Sequence, residues 1–142
     1  MKPLSLIEKA FFLKKVKFFN DLDLDLLIAV AEKLHPDEYD QNERVFALHQ
    51  AANRMYLIVH GIVQILDERM RLICELTSGD CFGDESLFNE QPRSYAAICK
   101  TDTHLLILSR SHLLSVISEC PSVAVALLQS YAQPLPCRHN IP

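Results

Sequence analysis

The chain has 142 residues, 49% of them hydrophobic, and a formal net charge of −4. That length fits one domain, residues 1–142, with a substantial buried core. The acidic balance argues against general nucleic-acid binding, and the lack of any run of about 18 apolar residues argues against a membrane-spanning helix.

The N-terminus lacks the basic, then apolar, then small-residue pattern of a secretory signal. The cysteines are Cys74, Cys81, Cys99, Cys120 and Cys137, an odd number with no C-x-x-C pair. Free thiols in a reducing cytoplasm are therefore expected. The histidines form no H-x₃-H or H-E-x-x-H pair, so no metal site is expected. No nucleophile and base stand in a recognisable catalytic signature, which argues against an enzyme.

In chain order, Ser5-Leu6-Ile7-Glu8 has the form of a capping box and predicts a helix over about 5–15. Phe18 and Phe19 follow, too apolar for an exposed loop, and are expected in the core. Asn20 or Asp21 can cap a second helix, on which Leu22, Leu26, Val30 and Leu34 recur at i+4. Pro36 is expected to end it. The N-terminal helical region is thus placed at 5–35.

The period then changes. A polar turn, Tyr39 to Glu43, leads into short predicted strands at Val45–Leu48, Met55–His60, Ile62–Leu66 and Arg71–Leu76. Two more, Tyr95–Lys100 and His104–Leu108, surround a Thr101-Asp102-Thr103 turn. Such spacing suggests a jelly-roll-like barrel over 38–108. Helical periodicity returns over 110–132, with Leu113, Val116 and Ile117 on one face and Ala124, Leu127, Leu128 and Tyr131 on another. Helices, then strands, then helices predict an α+β fold, an antiparallel β-roll flanked by N- and C-terminal helices.

Between the strands lies the stretch 78–94, holding Gly79 and Gly83, two of the three glycines. A glycine permits positive φ and close backbone approach. Asp84 to Phe88 can form one helical turn after Gly83, and free N–H groups at its start suit an anion. Arg93, held by Pro92, supplies a planar charged fork for a phosphate. An ordinary β-turn with a surface arginine is the competing reading.

That element order, with this stretch inside it, resembles the cyclic nucleotide-binding domain family. The family's phosphate-binding cassette reads roughly F-G-E-x-[AS]-L-L-x-x-x-P-R-[AST]-A. The chain has Phe82-Gly83-Asp84-Glu85-Ser86-Leu87-Phe88-Asn89-Glu90-Gln91-Pro92-Arg93-Ser94-Tyr95. Gly61 falls where the family closes a strand with L-x-x-G, and Gly79 where it enters the cassette. The resemblance implies that Arg93 pairs with a cyclic phosphate and that N–H groups around Asp84, Glu85 and Ser86 assist it. It also implies that Asp84, in place of the family's glutamate, accepts the ribose 2′-OH, and that Ser94 influences the choice of base.

Val59, Gly61, Val63 and Leu72 are candidates for the pocket wall, with plain core packing as the competing and favoured role for each, and Tyr131 is a candidate for a lid or for the core. The cassette departs from the family at two points. Asp84 is one methylene short. Tyr95 replaces a small residue, and it either crowds the pocket, stacks on a base, or faces outward. His49 and Gln50 stand where the family often has Gly-Asp. The function implied is a regulatory module that binds cAMP, with cGMP as the alternative, without a cofactor. It would relay binding to a protein partner or output domain. The competing expectation is a degenerate site on a protein-interaction module.

Overall fold

A computed structural model describes residues 3–87, 89 and 91–131, with the backbone alone at 86, 130 and 131. Helix α1 spans Leu6–Leu13. Its capping box is complete: the Glu8 amide donates to Ser5 Oγ at 3.2 Å, and the Ser5 amide donates to Glu8 Oε1 at 2.9 Å. Ala10 and Leu13 are buried, while Leu6, Ile7 and Phe11 are exposed. Phe18 and Phe19 enter the core as expected and meet edge to face, 5.0 Å between centroids.

Helix α2, Leu24–Ala31, starts later than expected, with Asp23 rather than Asn20 or Asp21 at its N-cap. Nor does Pro36 end it. The helix stops at Ala31, and Pro36 lies inside strand β1, His35–Tyr39. A proline is tolerated there because β1 is the outer strand of its sheet, where no second partner needs an N–H. The β-roll therefore begins at His35, before the expected residue 38.

The remaining strands are β2 (Arg44–Phe46), β3 (Arg54–His60), β4 (Val63–Leu66), β5 (Leu72–Leu76), β6 (Cys81–Phe82), β7 (Ala96–Cys99) and β8 (Thr103–Ser109). They form two antiparallel sheets, ordered β1-β8-β3-β6 and β2-β7-β4-β5. At Gly61, between β3 and β4, φ is +110°. A Cβ there would stand 2.5 Å from Thr103 Oγ1 and 2.7 Å from the Asp102 carbonyl. Only glycine lets the β3–β4 turn press against the β7–β8 turn in this way.

Helix α3, Arg110–Glu119, follows β8 directly, and Ser109 Oγ caps it by accepting from the His112 amide. Helix α4 is Ser122–Tyr131, with Pro121 just ahead of it. Among the described residues no helix is long and apolar enough to cross a membrane.

Strand alternation divides the core in two. Met55 and Leu57 of β3 and Leu106 and Leu108 of β8 face the helices, where Leu13, Phe18, Phe19, Leu27, Leu113 and Leu127 cover them. Tyr56 and Ile58, with Leu105 and Ile107, face the other sheet and meet Val63, Ile65, Ala97 and Cys99. Cys81, Cys99 and Cys120 are free thiols. Cys74 departs from the expectation of free thiols: it is disulfide-bonded.

Candidate functional site

Strand β6 pairs with β3 through Tyr56 and Leu57 and delivers the chain to Gly83. There φ is +75°, and a Cβ would come within 2.9 Å of Arg93 Nη1 and 3.2 Å of the Arg54 carbonyl oxygen. Glycine is needed here for both handedness and room. A single 3-10 turn follows, Asp84–Leu87, where one helical turn was expected. Its last residue, Leu87, is buried among the helix-covering residues, so the turn is rooted in the helical half of the core.

Arg93 approaches Gly83 from the other side. The Arg93 amide donates to the Gln50 carbonyl at 2.9 Å, and the His49 amide donates to the Arg93 carbonyl at 2.8 Å. His49 holds φ at +67°, in the left-handed region that favours glycine. The guanidinium turns inward and is only 5% exposed. Nη1 donates to the Gly83 carbonyl at 2.9 Å and Nη2 to the Arg54 carbonyl at 2.7 Å. The fork lies over Phe46, 4.2 Å from the ring centroid, a cation–π contact strengthened by burial.

Tyr95 also turns inward and is 1% exposed, which resolves the alternatives left by the sequence. Its ring lies 5.5 Å from Phe46, beside a stacked Tyr56–Phe82 pair at 5.1 Å. Its hydroxyl accepts from the Gly83 amide at 2.8 Å and donates to Glu85 Oε2 at 2.9 Å. Burial holds the phenol well above its ordinary pKa, and the nearby Glu85 and Asp84 carboxylates push it further the same way. The phenol is therefore neutral and able to donate. Gly83 is gripped at both ends, its N–H by Tyr95 and its C=O by Arg93.

The cassette residues are thus brought together, in differing roles. Asp84 is 2% exposed, next to Gly83. Phe82 is buried in the aromatic group. Glu85, Arg93, Ser94 and Tyr95 line a cavity of about 410 Å³ together with His49 and Pro92, and Ser94 is exposed at its edge.

The expected wall is only partly assembled. Val63 lies between the sheets. Val59 does not: alternation turns it to the helical side, where it lines a groove with Leu4, Pro36 and Leu106. Leu72 is also misplaced as a wall residue, being 54% exposed on β5, an outer strand. Gly61 is occupied by its contact with Thr103. The side chains of Ser86 and Tyr131, the lid candidate, lie outside the described residues. Phe46, Tyr56 and the Arg54 carbonyl complete the site and were not anticipated. Their meeting with Arg93 depends on sheet pairing between distant segments, for which short-range sequence carries no signal. Among the described residues, no group of three or more His, Cys, Asp or Glu side chains is placed to hold a metal ion.

Comparison with known proteins agrees with this geometry. Residues 36–120, more than half of the chain, match the family described as the cyclic nucleotide-binding domain. A CRP-like cAMP-activated global transcriptional regulator of Mycobacterium tuberculosis is 27% identical over 132 residues, covering 90% of this chain and 59% of that protein. A cyclic nucleotide-gated cation channel of Ictalurus punctatus is 30% identical over 122 residues, covering 81% of this chain and 18% of the channel. The chain therefore spans only part of the length of these relatives. Among solved structures, the catabolite activator protein of Thermus thermophilus superposes with a TM-score of 0.74 at 28% identity, over 82% of this chain and 56% of that one. A cyclic nucleotide-binding domain from Methylobacillus flagellatus gives a TM-score of 0.77 at 18% identity, over 89% and 73% of the two chains, a likeness of fold. With its two four-stranded sheets, flanking helices and glycine-centred cassette, this chain belongs to the cyclic nucleotide-binding domain family.

Proposed function

We propose that the chain is a non-enzymatic regulatory module that binds a cyclic nucleotide, cAMP first and cGMP second, at its cassette. The observation that carries this reading is the burial of Arg93 and Asp84 on either side of Gly83. Burying charged groups is costly and is found where they are paired or functional. Arg93 would engage the cyclic phosphate and Asp84 the ribose 2′-OH. The name of the M. tuberculosis relative, a cAMP-activated regulator, supports the choice of cAMP.

Leu87 supports a relay. It ties the cassette turn to the cluster that holds Leu113 and Val116 of α3, so a shift of the turn is felt by the C-terminal helices. A ligand favouring one arrangement of these helices would shift their population and pass the signal to a partner or to a further segment. One observation favours a second reading, a self-filled site on a protein-interaction module: the Tyr95 hydroxyl already holds the Gly83 amide.

Calorimetric titration with cAMP and cGMP separates the two. Saturable binding of either nucleotide, weakened in Arg93→Ala, supports the first reading. Absence of binding by both nucleotides overturns it.

A further inference from the structure

We propose that Tyr95 is an internal occupant of the cassette, which the nucleotide must displace and which sets the affinity and speed of binding. This rests on the reading of the cassette as a cyclic nucleotide site. The side chains alternate through this segment: Arg93 faces in, Ser94 out and Tyr95 in. Tyr95 therefore enters the same space as the arginine fork. Its hydroxyl occupies two groups at the mouth of the 3-10 turn, the Gly83 amide at 2.8 Å and the Glu85 carboxylate at 2.9 Å. The ring is wedged against Phe46, so the hydroxyl cannot shift without moving a packed aromatic group.

Arg93 is engaged in the same structure, with both terminal nitrogens donating to backbone carbonyls. Both ends of Gly83 and both terminal nitrogens of Arg93 are thus engaged within the chain. A ligand that takes the Gly83 amide or approaches Glu85 must first release the Tyr95 hydroxyl from its buried bonds, and a buried polar group left unbonded is costly. Apparent affinity then equals the intrinsic affinity scaled by the fraction of open cassettes.

The test compares the wild-type chain with Tyr95→Phe and Tyr95→Ala, titrating cAMP and cGMP calorimetrically and following exchange of the Gly83 amide by NMR. Thermal melting checks that each variant is folded. In Tyr95→Phe the ring stays and the hydroxyl goes. Its Gly83 amide should exchange faster without ligand, and nucleotide should bind about three- to tenfold tighter, the value of one hydrogen bond. Tyr95→Ala should bind at least as tightly as the Phe variant and associate faster. Wild-type binding that is unchanged or weaker in a folded Phe variant overturns the proposal and leaves the nucleotide reading standing. Unchanged exchange at Gly83 also overturns it. Failure of all three chains to bind either nucleotide overturns the nucleotide reading itself, and the displacement with it. The Phe variant keeps the test decisive if Tyr95→Ala does not fold.

Discussion

The two halves of the core are both well buried, but they are built differently. Against the helices, β3 and β8 present Met55, Leu57, Leu106 and Leu108 to an aliphatic and phenylalanine cover. Between the sheets, the same strands present Tyr56, Ile58, Leu105 and Ile107, and toward the cassette the filling becomes aromatic. Arg93, Asp84 and the Tyr95 hydroxyl are buried there as well. The first half depends on area and shape alone. The second accepts polar groups that must each find a partner. The helical half is therefore expected to govern stability, and the cassette end to govern binding and pH response.

The sharpest way to break that contrast is to cut the helical half. Leu108→Ala, at a fully buried position, should cost about 2–5 kcal/mol of stability in urea denaturation. Nucleotide affinity should stay unchanged while the chain is folded. A matching loss of affinity would mean that the halves are not separable.

Next is Arg93→Ala, which should weaken nucleotide binding by about 1.5–3 kcal/mol, the range for a hydrogen bond to a charged group. Unchanged affinity in calorimetry would remove Arg93 from the site. Smaller again is Ser5→Ala, which removes the α1 capping box at the far edge of the helical half and should cost about 1 kcal/mol in the same denaturation. It should leave binding untouched.

The finest probe is pH. Burial raises the Tyr95 phenol above its ordinary value, so the folded state favours the protonated form. Its contribution to stability is complete below about pH 10, the unfolded value, and is lost as pH rises from there toward the folded value. Tyr39 is raised in the same direction and shares the effect. Denaturation at about pH 9 and about pH 11 should show a shallower alkaline loss in Tyr95→Phe than in the wild-type chain. Equal slopes would indicate that Tyr95 is not held neutral by the fold.

The legible parts of the sequence were those with local signals. The Ser5–Glu8 box, the Phe18-Phe19 plug, the interior strands and the cassette glycines each carry their cause within a few residues. Strand β1 was not legible because His-Pro-Asp-Glu-Tyr has no apolar alternation and is mostly exposed, on an outer strand. The two-residue β6 is too short for any period. Val59 and Leu72 were misassigned because a motif gives the strand but not which face each residue takes. Tyr95 could be read as a departure from the family pattern. Its direction could not, since that depends on Phe46 and Gly83 across the roll.

The paired backbone bonds that join His49 and Gln50 to Arg93 have one more consequence. Arg93 lies outside any strand, in a connecting segment, where a long side chain ordinarily wanders. The two bonds make it a one-rung ladder with the β2–β3 loop and anchor its main chain independently of whatever its guanidinium holds. The main chain at Arg93 is already fixed when the chain has folded, so an incoming anion need only redirect the guanidinium and does not bear the entropy of anchoring its backbone. Substitutions at His49 that disfavour its left-handed backbone should therefore weaken affinity through the main chain of Arg93, in addition to any change at the cavity wall that His49 lines.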